Sequence, residues 1–156
     1  MTAAAIWRAH RPLPDIQATE ALGETLARHL LPGDVIGLSG ELGAGKSVLA
    51  RAVIRALAGA DEIIPSPSFT LAQHYQSPWG VITHFDLYRL TNPGEIFELG
   101  FEDAGDGITL VEWPERAGPY LPPAMLTIHL HETDETGRGA VISGAAFWGE
   151  RLGGIL

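Results

Sequence analysis

Cysteine is absent from the 156 residues, which excludes disulfides and thiolate metal sites. No apolar run approaches the ~18 residues of a membrane-spanning helix, so no membrane span is expected. The opening residues, Met1-Thr2-Ala3-Ala4-Ala5-Ile6-Trp7, lack a basic segment followed by an apolar core. No secretory signal is read there, and a cytoplasmic protein is the simple expectation. Positive charge is scarce: 10 Lys and Arg against 19 Asp and Glu leave a net charge of −9. That balance argues against autonomous binding to nucleic acid, which relies on cations neutralising phosphates, but it leaves room for a partner with a basic surface. Lysine is the scarcest cation, with Lys46 the only one and the other nine all arginine. No internal repeat or low-complexity segment stands out. With 46% hydrophobic and 19% charged residues, residues 1–156 read as one domain long enough to bury a core.

The lone lysine stands in the most informative stretch. Gly40-Glu41-Leu42-Gly43-Ala44-Gly45-Lys46-Ser47 fits the phosphate-cradling pattern G-x-x-x-x-G-K-[ST] at every specified position. The glycines permit φ > 0 and close backbone approach, so successive N–H groups can converge on phosphate oxygens. Lys46 is a point charge for the β- and γ-phosphates, the Ser47 hydroxyl a Mg²⁺ ligand, and the following helix adds its N-terminal positive end. The expected nucleotide contacts are therefore Glu41, Leu42, Gly43, Ala44, Gly45, Lys46, Ser47 and Val48. Upstream, Val35 to Ser39 reads as a short buried strand entered through the Pro32-Gly33 turn. Downstream, Leu49, Val53, Ala56 and Leu57 recur at helical spacing, and Gly59 is a natural stop.

The rest of the chain is taken in order. Residues 6–10 suggest a first edge strand. Thr19 to Leu31 reads as a helix with Thr19 as N-cap and Leu22, Leu26 and Leu30 as its stripe. Pro65 and Pro67 rule out a helix and hold the backbone extended. Phe69–Gln76 and Val81–Tyr88 read as strands joined at Ser77-Pro78-Trp79-Gly80. Period 2 sets His84, Asp86 and Tyr88 on one face of the second, and Thr83, Phe85 and Leu87 on the other. The polar face either lines a site or looks at solvent; the pattern leaves both open. Asn92-Pro93-Gly94-Glu95 is a good helix start. Ile108 to Trp113 is a buried-type strand carrying Glu112 near its end, and in open α/β sheets the site lies at the carboxyl ends of the strands. Ala124–His131 and Arg138–Ser143 read as a hairpin. Its His129-x-His131 pair reads as a solvated face, since no third metal ligand is evident. Phe147-Trp148 begins either a docking helix or a frayed end. The fold class is α/β: a P-loop NTPase-like sheet flanked by helices, with additional antiparallel hairpins.

These blocks, taken together, resemble the TsaE family, the small ATPases of bacterial tRNA threonylcarbamoyladenosine biosynthesis. The resemblance rests on Thr19-x-x-Leu22-Gly23, Pro32-Gly33-Asp34, the phosphate loop, Ser66-Pro67-Ser68-Phe69, His84-Phe85-Asp86-Leu87-Tyr88-Arg89, Glu95…Leu99-Gly100 and Val111-Glu112-Trp113-Pro114. It spans roughly residues 19–114. It implies that Ser66–Thr70 is a switch near the γ-phosphate, with Ser68 among the nucleotide contacts, and that Thr19 touches the nucleotide's outer part. It implies that Ser47, Asp86 and Glu112 serve Mg²⁺, and that Glu112 assists hydrolysis alongside Lys46. The implied cofactors are ATP and Mg²⁺. The implied partners are the two sugar-kinase-like subunits that modify adenosine 37 of ANN-decoding tRNAs, with tRNA reached indirectly. Glu41, Ser47 and Ser68 stand where the family usually has Asp, Thr and Thr, each keeping its functional group.

Three rivals remain to be weighed. A GTPase needs an Asn/Thr-Lys-x-Asp segment, and the only lysine is already in the loop. A small-molecule P-loop kinase needs a lid of arginines, and here arginines are scattered singly apart from the Arg51/Arg55 pair on a helix; none is obviously aimed at the phosphates, Arg89 and Arg116 being the only near candidates. A nucleotide-dependent assembly switch with little turnover overlaps with the family role.

Overall fold

Alternating half-buried and exposed residues build the first strand, β1 (Ile6–Leu13). The computed structural model describes residues 6–59, 64, 71–133 and 137–156. After Pro14, the Asp15 Oδ1 accepts the Ala18 amide at 2.8 Å, so α1 (Ile16–Ala27) starts before the Thr19 that the sequence suggested as its cap. A carboxylate one turn earlier takes the orphan amide, and Thr19 becomes an interior helix residue, 4% exposed. Leu22 and Leu26 face the core as the periodicity requires, and Leu30 is buried past the helix end.

The apolar run after Pro32-Gly33 forms β2 (Val35–Ser39). The loop then leads into α2 (Lys46–Ala58). Leu49, Val53 and Leu57 are buried on schedule, but Ala56 is exposed and Ile54 is buried. The buried arc is wider than one stripe because α2 packs against both α1 and the sheet. β3 (Ala72–Ser77) and β4 (Gly80–Asp86) form a hairpin closed at Ser77↔Gly80. Phe69 and Thr70, the expected start of β3, lie outside the described residues.

Asn92 caps a 3₁₀ turn at Pro93–Phe97, its side chain accepting the Gly94 amide at 3.0 Å. A second such turn (Glu102–Asp106) leads to β5 (Ile108–Glu112), in which every residue is buried. Two further 3₁₀ turns, Pro114–Arg116 and Gly118–Tyr120, precede β6 (Leu126–Glu132) and β7 (Arg138–Ala145). The tail folds as α3 (Ala146–Leu152) and docks: Trp148 is 1% exposed and its Nε1 donates to the Ala124 carbonyl at 2.8 Å.

The described strands make one seven-stranded sheet in the order β1-β7-β6-β2-β5-β4-β3. The inner four, β6, β2, β5 and β4, are parallel, while β3 and the β7–β1 pair extend the two edges antiparallel. The hairpins of the sequence reading are thus margins of a single sheet. On one face Ile36, Leu38, Ile82 and Leu110 join the main core under α1 and α2. On the other, Phe85, Leu87 and Val111 form a smaller core with Ile96 from the first 3₁₀ turn. Both faces are therefore apolar and covered, as parallel strands require. Leu38 and Asp86 each pair with Glu112, so the carboxyl ends of β2, β4 and β5 align beside the loop that starts α2.

Candidate functional site

The loop between β2 and α2 is shaped by its glycines. Gly45 has φ 107° at the N-cap of α2, a conformation that a side chain would strain. A Cβ at Gly40 would stand 2.5 Å from the Leu130 carbonyl oxygen, so the loop can lie against β6 only with glycine there. Lys46, the first residue of α2, is 5% exposed. Its Nζ donates to the carbonyls of Gly40 at 2.6 Å and Glu41 at 2.7 Å and lies 4.3 Å from the centre of the Trp113 ring. Burial pushes the Lys46 pKa below its ordinary 10.5, opposed by the charges of Glu112, Glu115 and Asp86.

Trp113 holds that place by an unusual backbone. It has φ 59° and ψ 52°, and Leu71 is the other non-glycine with positive φ among the described residues. A bulky side chain in this region costs on the order of 1–3 kcal/mol and persists only where its surroundings fix it. Here the ring covers Lys46 on one side and meets Tyr88 at 4.9 Å.

The carboxylates come next. Ser47 Oγ donates to Glu112 Oε1 at 3.0 Å, and His84 Nε2 meets Glu112 Oε2 at 2.6 Å. Asp86, 6% exposed, accepts the Tyr88 amide at 3.1 Å and donates its own amide to the Leu71 carbonyl at 3.0 Å. The face carrying His84 and Asp86 is therefore a buried one that meets the loop, which decides the question the strand pattern left open. Tyr88 lies beyond β4 and is 41% exposed.

A cleft of about 420 Å³ brings together Leu42, Gly43, Gly45, Lys46, Ser47, Val48, Asp86 and Glu112. A hydroxyl and two carboxylates are hard oxygen donors of the kind Mg²⁺ takes; Lys46 and the α2 N-terminus are the complement of a polyphosphate. Glu41 lies on the neighbouring side of the loop, and Ala44 is buried beneath it. Thr19, inside α1, does not line the cleft. Ser68 and the rest of the Ser66–Thr70 switch lie outside the described residues.

Sequence reasoning missed Arg138. It lines the cleft, with Nη1 3.5 Å from where a Cβ of Gly45 would stand. Arg51 of α2 lines it too. Of the arginines named from sequence, Arg116 sits 5.7 Å from the Tyr88 ring beside the cleft, and Arg89 is exposed. Nothing local marks Arg138: it reaches the loop only because β6 pairs with β2 and β7 with β6. The His129–His131 pair has ring centres 6.2 Å apart, and His129 Nδ1 shares a hydrogen bond with Ser39 Oγ at 2.9 Å. No helix among the described residues is long and apolar enough to cross a membrane.

The model of the family "Threonylcarbamoyl adenosine biosynthesis protein TsaE" matches residues 13–140. A tRNA threonylcarbamoyladenosine biosynthesis protein TsaE from Rickettsia felis is 42% identical over 123 residues, covering 78% of this chain and 72% of that one. The protein of that name from Synechocystis is 42% identical over 117 residues, with 70% and 72% covered. The one from Haemophilus influenzae is 35% identical over 112 residues, with 70% of each covered. Among solved structures, the crystal structure of Bacillus subtilis YdiB superposes with a TM-score of 0.75 at 25% identity, covering 99% of this chain and 95% of that one. A phosphate loop aligned with two buried carboxylates, in a chain matched over most of its length, leads to one conclusion: the protein belongs to the TsaE family of tRNA threonylcarbamoyladenosine biosynthesis proteins.

Proposed function

We propose that the protein is a Mg²⁺-dependent ATPase required for the threonylcarbamoyl modification of adenosine 37 in ANN-decoding tRNAs. In this reading it works in the cytoplasm with two sugar-kinase-like subunits that carry out the transfer and contact the tRNA. The observation that carries the reading is the chain His84–Glu112–Ser47 running to the loop beside Lys46.

The geometry supports the following roles. The loop amides and Lys46 bind the β- and γ-phosphates of ATP, and Arg138 reaches them from the β7 side. Ser47 and Asp86 would hold Mg²⁺, with Glu112 serving it through water, and the ion would supply charge neutralisation on the phosphates. A second hollow of about 490 Å³, lined by Leu13, Asp15, Ile16, Thr133 and Arg138, shares that arginine with the cleft and suits the nucleoside end. In the reaction a water attacks the terminal phosphorus, the bond from that phosphorus to the bridging oxygen breaks, and ADP leaves. Glu112 orients this water and takes its proton. Lys46, donating to loop carbonyls and covered by Trp113, exchanges those partners for phosphate oxygens.

Leu42 at the loop tip is 68% exposed and Tyr88 beside it 41%. An apolar rim at the mouth of the cleft supports a partner that closes over the nucleotide, as a hydrolysis-gated switch would need. The experiment is synthesis of threonylcarbamoyl-tRNA from purified components with and without this protein. Synthesis that continues over many turnovers only with the protein and ATP supports the reading; equal synthesis without it rejects the reading.

A further inference from the structure

We infer that His84 is a positioning residue, which holds the Glu112 carboxylate so that Oε1 faces Ser47 and the phosphate loop. The inference rests on the reading of Glu112 as the residue that attends the attacking water, and adds the group that aims it.

Glu112 is gripped at both oxygens from two different elements. Oε2 is taken by His84 of β4 at 2.6 Å and Oε1 by Ser47 of α2 at 3.0 Å. The His84 and Glu112 side chains are 1% and 3% exposed, so no water competes for that bond. An ionised carboxylate only accepts; the imidazole therefore carries its hydrogen on Nε2. Nδ1 is buried with no hydrogen-bond partner among the described residues. An unpaired buried polar atom is unfavourable by about 1–3 kcal/mol, and the same strand face holds an apolar Ile82 two residues earlier at full burial. Packing alone would thus be served better by another aliphatic residue. What the ring gains for the protein is the bond to Glu112. A glutamate side chain has three rotatable bonds, and a short charge-assisted bond in a dry setting removes the choice among them.

The test uses the full chain in two arms. In the nucleotide-free protein, ¹⁵N–¹H spectra of the imidazoles should show His84 as the Nε2–H tautomer with a downfield ring proton. That proton should move upfield in Glu112→Gln, where the acceptor loses its charge. In the complex reconstituted with its partners and ATP, His84→Ala should lower kcat about 10–100-fold, the usual effect of removing the group behind a site residue. The KM for ATP should stay within about threefold, since binding to loop and lysine is untouched. His84→Gln, which keeps an N–H at similar reach, should recover most of the lost kcat.

An Nδ1–H tautomer, a ring proton indifferent to Glu112→Gln, or a kcat unchanged in His84→Ala would overturn the inference. So would equal kcat losses in the Ala and Gln variants at wild-type melting temperatures. Should His84→Ala fail to fold, the spectra and the Gln variant decide. A wild-type complex that turns over no ATP overturns the ATPase reading by itself, and the nucleotide-free spectra still decide the His84–Glu112 arrangement.

Discussion

Asp86 and Glu112 are direct partners across two parallel strands, in register at the carboxyl ends of β4 and β5. Both are nearly buried, at 6% and 2% exposure. Two carboxylates so placed repel unless a cation stands among them, and the Lys46 ammonium feels both.

On the proposed reading, Asp86 should serve the metal side rather than the fold. Asp86→Asn keeps an oxygen to accept the Tyr88 amide, so the melting temperature of the nucleotide-free protein should stay within a few degrees. The gain in ATP affinity on adding Mg²⁺ should shrink. Calorimetry with and without Mg²⁺ checks this, and collapsed stability would make Asp86 structural.

Arg138 should hold phosphate. A hydrogen bond to a charged group contributes about 1.5–3 kcal/mol, so Arg138→Ala should weaken ATP binding by roughly 10–100-fold with little change in melting temperature. Arg116→Ala, outside the cleft, should leave affinity near wild type. Equal losses in both would point to the general field and not to position.

Trp113 should report stored strain. Trp113→Ala and Trp113→Gly both remove the ring from Lys46 and Tyr88, but only glycine adopts φ 59° freely. The glycine variant should be the more stable of the two by about 1 kcal/mol, measured by urea unfolding. Equal stabilities would show that the backbone relaxes when the ring is gone.

Lys46 should tie stability to pH. Its pKa is lowered by burial below 10.5, so in the window between the folded value and 10.5 the unfolded chain binds a proton the folded chain has released. Stability then rises with pH across that window. In Mg²⁺- and nucleotide-free solution, Lys46→Met should flatten the rise. A parallel pH profile for variant and wild type would contradict the burial effect.

The sequence made the loop legible because each of its residue types answers a local demand: Gly45 for a left-handed turn, Lys46 for charge, the apolar run at Val35 for a buried strand. Glu112 was legible as the end of a second such run. The start of α1 was misread, because Thr19 and Asp15 are both good caps and the choice between them was made by which amide the carboxylate could reach. The face of β4 stayed open for a different reason. Whether His84 meets solvent or α2 depends on strand order, which places β3 and not β4 at the sheet edge. Arg138 depends on two successive non-local pairings and leaves no local trace.

The central claim is that Glu112 separates ATP binding from ATP hydrolysis. Single-turnover hydrolysis by Glu112→Gln in the reconstituted complex, read alongside nucleotide affinity, tests it most directly. Glutamine keeps the shape but loses the charge and the base, and its single oxygen can accept from only one of Ser47 and His84. The account predicts near-normal ATP affinity with hydrolysis slowed ~10²–10⁴-fold, as for loss of a general base, and a longer-lived ATP-bound complex. Hydrolysis within about threefold of wild type, far short of that estimate, would contradict it and leave Glu112 as a buried structural partner of His84.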